Sequence, residues 1–239
     1  MEITTKQISC DHNHNYHTYL EFNFPKNDEI LQIVRNKAPE LVDELNPQYL
    51  GSNRIRSDDE VLSSAARGLL SEICSKKILE TEIEKRNLTA NAKLIESEGL
   101  VETPEGTTQI DLQLEIAGKK FDLEIRSSCV RNGTEFGITN FNILGWYVHQ
   151  TKRFEPPKDF YLMYLFPFDA EHTLSKFDDG FVMHFVGGAT KTMLEGPLGR
   201  YTNLKQAGLK CCGIKPICAG LDSSQIIEKM LETEKRSLI

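Results

Sequence analysis

The chain has 239 residues, 39% of them hydrophobic and 26% charged, enough apolar surface for one substantial core and one elaborated domain rather than two. Its formal charge of −7 speaks against a protein that coats nucleic acid nonspecifically, yet leaves room for a locally basic cleft. No apolar stretch approaches the roughly 18 residues that a membrane helix needs, and residues 1–15 lack the basic start and greasy middle of a secretory signal; a cytoplasmic protein with no membrane contact is expected. The cysteines at 10, 74, 129, 211, 212 and 218, without framework-like spacing, read as free thiols.

Residues 1–24 alternate irregularly, as a strand pair or arm does. Pro25-Lys26-Asn27-Asp28 breaks the chain ahead of a helix over residues 29–45, which Asn46-Pro47 closes. Ser57 and Glu60 form a capping box before Val61, Leu62, Ala65, Ala66, Leu69, Leu70, Ile73 and Cys74, the apolar stripe of a helix running to about residue 84. Within it Gly68 costs about 1 kcal/mol relative to Ala, for which close approach of another backbone is a reason.

A hairpin follows. Apolar residues fall at even positions from Ile110 to Ile116 and at odd positions from Lys119 to Ser127, so each segment buries one face. A two-residue connection at Ala117-Gly118 pairs Ile116 with Lys119 and keeps both apolar sets on one side. The same register sets Glu115 opposite Lys120 and Asp111 opposite Glu124, on a face that also carries Gln113, Asp122 and Arg126. Two carboxylates directly opposite each other repel, and a divalent cation is the usual remedy. The structural alternative is a wet hairpin face with an ordinary Glu115–Lys120 ion pair.

Beyond the hairpin, a second amphipathic helix is expected over residues 140–152, with Phe141, Leu144, Tyr147 and Val148 inward and Pro156-Pro157 as its end. The unbroken apolar run from Phe160 to Phe168 reads as a strand buried on both faces of a partly parallel sheet. Residues 181–186 read as one more strand, and a last helix starts near Asp222 with Gln225 at the box position. The fold class is α/β, a mixed sheet flanked by helices.

The wording of these elements adds a resemblance. Gln109-Ile110-Asp111-Leu112, then Phe121-Asp122-Leu123-Glu124-Ile125-Arg126-Ser127-Ser128, and Gly68-Leu69-Leu70-Ser71-Glu72 on the preceding helix resemble the core of the PD-(D/E)xK, or restriction-endonuclease-like, nuclease superfamily. That motif places an Asp on one strand and Glu-x-Lys on the next, and many members carry Gly-x-x-x-Glu on the helix before. Ile110 stands where the pattern has Pro, and Arg126 where it has Lys. The order helix, hairpin, helix, buried strand is also that of the superfamily core, and the likeness covers roughly residues 57–168 of a single domain with elaborations at both ends.

The resemblance implies hydrolysis of DNA phosphodiester bonds by water activated on Mg²⁺, with Mn²⁺ as a substitute. Asp111 and Glu124 would ligate the metal, with Glu72 on the ion or its water shell. A guanidinium cannot serve as a base, so Arg126 would clamp phosphate and stabilise the transition state, and Lys152 would reach in from the second helix in place of the missing lysine. Plainer roles stay open: Glu72 as a solvated helix acid, and Arg126 as a partner of Glu124 or Glu72. The implied protein is a type II restriction-type endonuclease acting on double-stranded DNA, with homodimerisation as the route to cutting both strands. The alternative is a degenerate member that binds nucleic acid or a partner protein without cutting.

Other features carry less. Cys10, His12, His14 and His17 resemble a zinc set that Cys211, Cys212 and Cys218 could complete, but a short strand cannot wrap a tetrahedron, and exposed polar strand residues are expected. The string His12-Asn13-His14 matches the name of another nuclease class only by coincidence. Gly187-Gly188-Ala189-Thr190-Lys191-Thr192 lacks the spacing of a phosphate-binding loop and reads as a turn. Arg131, Asn132, Lys152, Arg153, Arg200 and Lys205 are bases and amides that could touch a nucleic-acid backbone.

Overall fold

The irregular alternation at the start of the chain is a true hairpin. In the computed structural model, which describes residues 1–10, 15–44, 56–96, 100–103, 106–109, 111–148, 156–169, 173–204 and 209–232, β1 (Glu2–Ser9) pairs antiparallel with β2 (Tyr16–Phe24). Asp28 ends the turn that follows and caps α1 (Glu29–Lys37) by accepting from the Ile30 N–H, and a 3₁₀ segment, Ala38–Glu44, prolongs that helix. The capping box forms as read. Ser57 accepts from the Glu60 N–H, Glu60 accepts from the Ser57 N–H, and α2 spans Asp58–Lys85.

Next come β3 (Ala92–Glu96), the small hairpin β4 (Leu100–Thr103) and β5 (Gly106–Gln109), then β6 (Leu112–Ile116) and β7 (Lys119–Cys129). The β6–β7 register is the one the alternation dictates, Ile116 against Lys119 through Leu112 against Leu123. Ala117 and Gly118 both take positive φ, 48° and 78°, as a two-residue hairpin turn requires. The ion pair expected within this hairpin goes elsewhere, because Glu115 meets Lys93 of β3 at 3.4 Å.

The expected second helix is corrected. A shorter helix, α3 (Thr134–Asn140), comes earlier, and Leu144 and Tyr147 lie on a strand, β8 (Ile143–Val148). The Ile-Leu-Gly-Trp-Tyr-Val run is β-branched and aromatic around a glycine that would weaken a helix, and its backbone bonds to a later strand decide the outcome. Lys152 lies outside the described residues. The apolar run is β9 (Phe160–Phe166), buried at every position, parallel to β7 and antiparallel to the strand beyond it.

After a helical turn, α4 (Thr173–Lys176), β10 (Phe181–Thr190) runs four residues further than expected. The Gly187-Gly188 pair is therefore a bulge inside a strand, not a turn after one, with Gly187 at φ 102° and a Cβ there 2.1 Å from the Leu221 carbonyl oxygen. Short α5 (Lys191–Glu195), the pair β11 (Arg200–Leu204) and β12 (Leu209–Ile214), and α6 (Ser223–Leu231) complete the order; Asp222 and Gln225 form the foreseen box on α6.

The main sheet is mixed and seven-stranded, ordered β1-β2-β10-β9-β7-β6-β3, and a small sheet β11-β12-β8 lies apart from it. On one face α1, α2 and α6 cover Phe22, Phe24, Leu123, Ile125, Leu162, Tyr164 and Phe185. On the other, α3 and the small sheet cover Tyr161, Met163, Leu165 and Val186 with Ile138, Trp146 and Cys212. Helices and a second sheet thus bury both faces of the central strands, the layered solution of α/β and α+β domains. All six cysteines are free thiols. Among the described residues no helix is long and apolar enough to cross a membrane.

Candidate active site

Alternation along β7 sends its side chains to opposite layers. Leu123 and Ile125 join the core under α2, so Glu124 and Arg126 point to the face where their parallel partners Tyr161 and Met163 lie. That face is not wet: Glu124 is 6% exposed. Its carboxylate takes the Arg126 guanidinium at 3.1 Å, which also stands 5.1 Å above the Tyr147 ring of β8. The partnership weighed as the plain role of Arg126 is thus present.

Asp111 sits just before β6, one pair short of the ladder. Its carboxylate turns onto β7 and accepts from the Ile125 N–H at 2.6 Å, which places it beside Glu124 in the chain direction. Burial, followed by the negative charge of Glu72, pushes its carboxyl up to about 6, against the opposing pull of that N–H and of the Arg126 and Lys158 charges. Glu72 of α2, half-buried, is therefore close enough to Asp111 for the two charges to repel.

Lys158 was not singled out by sequence. It is 2% exposed, stands two residues before β9, and donates its backbone N–H to the Tyr161 hydroxyl at 2.8 Å. Its charge acts on Asp111 and on Asp159. The Asp159 carboxylate accepts from the Asp122 N–H at 2.8 Å, closing the β7–β9 junction at this end. No residue pattern announces Lys158: it follows two prolines, where a solvated lysine is the ordinary expectation, and only the parallel pairing of β9 with β7 brings it to the carboxylates.

Glu72 of α2, Arg126 of β7 and Lys158 before β9 thus act on Asp111, and Arg126 also holds Glu124. Arg153 and Lys205 lie with Lys152 outside the described residues. Arg131 is exposed and ion-paired to Asp169, and Asn132 and Arg200 are exposed. Among the described residues no group of three or more His, Cys, Asp or Glu is gathered to hold a metal ion. The donors on hand, Asp111 with Glu72 and the Arg-held Glu124, are hard oxygens. Mg²⁺ is commonly held by one or two carboxylates, its own waters and a substrate phosphate, and this set fits that chemistry.

The zinc set finds no such support in what is described. His12 and His14 lie outside the described residues. His17, expected to be exposed, is 3% exposed and holds the Val186 carbonyl at 2.7 Å; burial lowers its pKa. Nor does the expected reason for Gly68 hold, since a Cβ built there meets nothing within 4 Å.

A second buried polar group was missed. His184 of β10 meets Thr134 Oγ1 through Nδ1 at 2.8 Å and Glu21 Oε2 through Nε2 at 3.3 Å, and burial lowers its pKa. It ties the first residue of α3 to the sheet, and a histidine in an apolar strand gives no sequence signal of such a role. Compared with protein-family models, with curated proteins and with solved structures, the chain matches none of them.

Proposed function

We propose that the chain is a Mg²⁺-dependent endonuclease of the restriction-endonuclease-like, PD-(D/E)xK class, hydrolysing phosphodiester bonds of double-stranded DNA. The observation that carries the reading is Asp111, seated on the Ile125 N–H and facing the charges of Glu72, Arg126 and Lys158. The order α2, β6–β7 hairpin and buried parallel β9 supports it, although the short α3 and the strand β8 stand where the motif resemblance implies one helix. A type II restriction-type enzyme working as a homodimer is the form this reading favours.

In such a site the Ile125 N–H fixes the Asp111 carboxylate and spares it rotation on ligand binding. Arg126, charged at any working pH, supplies positive charge toward a phosphoryl group that gains negative charge in the transition state. Tyr147 and Glu124 hold that guanidinium in one place. Bound Mg²⁺ supplies an activated water and further charge neutralisation.

The test is incubation of plasmid and linear duplex DNA with the chain in Mg²⁺ and in EDTA, with the ends mapped. Arg126→Ala should lower the cleavage rate about 10²–10³-fold, as loss of one electrostatic group in an active site does, while Arg126→Lys should retain measurable cutting. The Arg126–Glu124 ion pair favours one second reading, a degenerate module that binds without cutting; it predicts no cleavage by the native chain in any metal and a gain in Arg126→Lys.

A further inference from the structure

The outer edge of β1 is an open strand. Cys10 donates its N–H to the Asn15 carbonyl at 2.9 Å, in the register that β1 and β2 keep without a bulge from Glu2 against Asn23 to Ser9 against Tyr16. Hydrogen-bonded and non-hydrogen-bonded pairs alternate along an antiparallel ladder. The even residues Glu2, Thr4, Lys6 and Ile8 therefore bond to β2, and the backbone groups of Ile3, Thr5 and Gln7 point away from it. Among the described residues no strand lies beyond β1 in the sheet order. Edges of this kind are usually blunted by brevity, proline, a bulge or charge. Of these devices β1, eight residues long, carries only the charges of Glu2 and Lys6, and its Ile3 is 40% exposed.

We propose that this edge pairs antiparallel with β1 of a second copy of the chain, about a twofold axis at Thr4, in the self-complementary contact that such symmetry requires. The strand's own charges choose the register. Outward backbone groups of both copies must meet, so paired residue numbers sum to an even value. Centred on Thr4, the pairing sets Glu2 opposite Lys6 of the second copy and, by symmetry, Lys6 opposite its Glu2. Centred on Lys6 it sets like charges face to face, and centred on Ile3 or Thr5 it pairs neither Glu2 nor Lys6 with a charged residue. Opposite charges directly across an antiparallel pair stabilise it and like charges do the reverse. In the Thr4-centred register Ile3 and Thr5 exchange the backbone bonds, which leaves Glu2, Thr4 and Lys6 in the non-hydrogen-bonded pairs, where side chains stand closest. The Lys6 ammonium, 46% exposed and 3.4 Å from Glu21, has three donors and can serve both carboxylates. The interface goes beyond the nuclease reading, because β1 and the β6–β7 hairpin stand on opposite sides of β9 in the sheet.

The experiment is sedimentation velocity of the full chain from micromolar to submillimolar concentration, with reductant and without DNA or metal, folding being checked by circular dichroism. The native chain should pass from monomer to dimer as its concentration rises. Thr5→Pro removes an N–H that β2 does not use, a change that edge strands tolerate, and should weaken the dimer at least tenfold. Glu2→Lys alone and Lys6→Glu alone should each weaken it likewise, since two identical copies of either variant set like charges opposite each other. An equimolar mixture of those two variants should dimerise as the native chain does, because both facing pairs are again of opposite charge. A native chain that stays monomeric throughout overturns the proposal. So does a dimer that Thr5→Pro and both charge variants leave unchanged, or a mixture no more dimeric than its components. The readout involves no cleavage, so the interface and the nuclease reading fail separately.

Discussion

Asp111 is the residue on which most of the proposed chemistry turns, and its ionisation leaves a signature in stability. Its carboxyl titrates near 6 in the folded chain because of burial and Glu72, and near 4 when unfolded. The folded state therefore binds more protons between those values, so this group makes stability fall as pH rises through that window. Above it the native chain carries a penalty of up to about 3 kcal/mol. Asp111→Asn, which can still accept from the Ile125 N–H, should be more stable than native at pH 7.5 and no more stable at pH 3.5, read from urea unfolding at both. Buried His17 and His184 titrate low and oppose this trend below about 6.5, so the difference between the two proteins is the diagnostic quantity. Glu124 behaves otherwise. Symmetric relief of repulsion on removing either carboxylate would follow from the bare hairpin, but Glu124 holds Arg126 in a part-buried ion pair. Glu124→Ala should cost about 2 kcal/mol, while Asp111→Ala costs nothing or stabilises.

At the scale of elements, the hairpin was legible because period-two alternation admits a single register once a two-residue turn is placed, and the structure keeps that register pair by pair. The α2 and α6 caps were legible because capping boxes are local chemistry. What escaped was set by partners distant in sequence. Strand β8 follows from pairing with β12, which periodicity within residues 140–152 cannot reveal, and the burial of Glu124 follows from the small sheet laid over its face. Lys158 joins the site only through the β7–β9 pairing. Two glycines separate local from tertiary causes experimentally. Gly68 has open space about it in mid-helix, so Gly68→Ala should raise stability by about 1 kcal/mol. Gly187, at φ 102° with a Cβ 2.1 Å from the Leu221 carbonyl oxygen, should lose more than about 2 kcal/mol on the same change. Thermal unfolding of the two variants reads both effects.

At the scale of the whole molecule, a mixed sheet covered on both faces brings the middle of β7, the approach to β6, the start of β9 and the flank of α2 to a single place. Residues from 72 to 158 meet there, and the formal charge of −7 leaves any attraction for DNA to local groups such as these. A homodimer would bring two such sites to one duplex, and sedimentation of the DNA-bound chain at two copies per duplex is the expected outcome. The most direct measurement is single-turnover cleavage of duplex DNA in Mg²⁺ by the native chain and by Asp111→Ala, with folding of both checked by circular dichroism. Cleavage by the native chain that EDTA abolishes, and its loss by at least a thousandfold in a folded Asp111→Ala, is the expected result. Equal cutting by the two proteins, or none by the native chain in either Mg²⁺ or Mn²⁺, would contradict the assignment of Asp111 to a nuclease site.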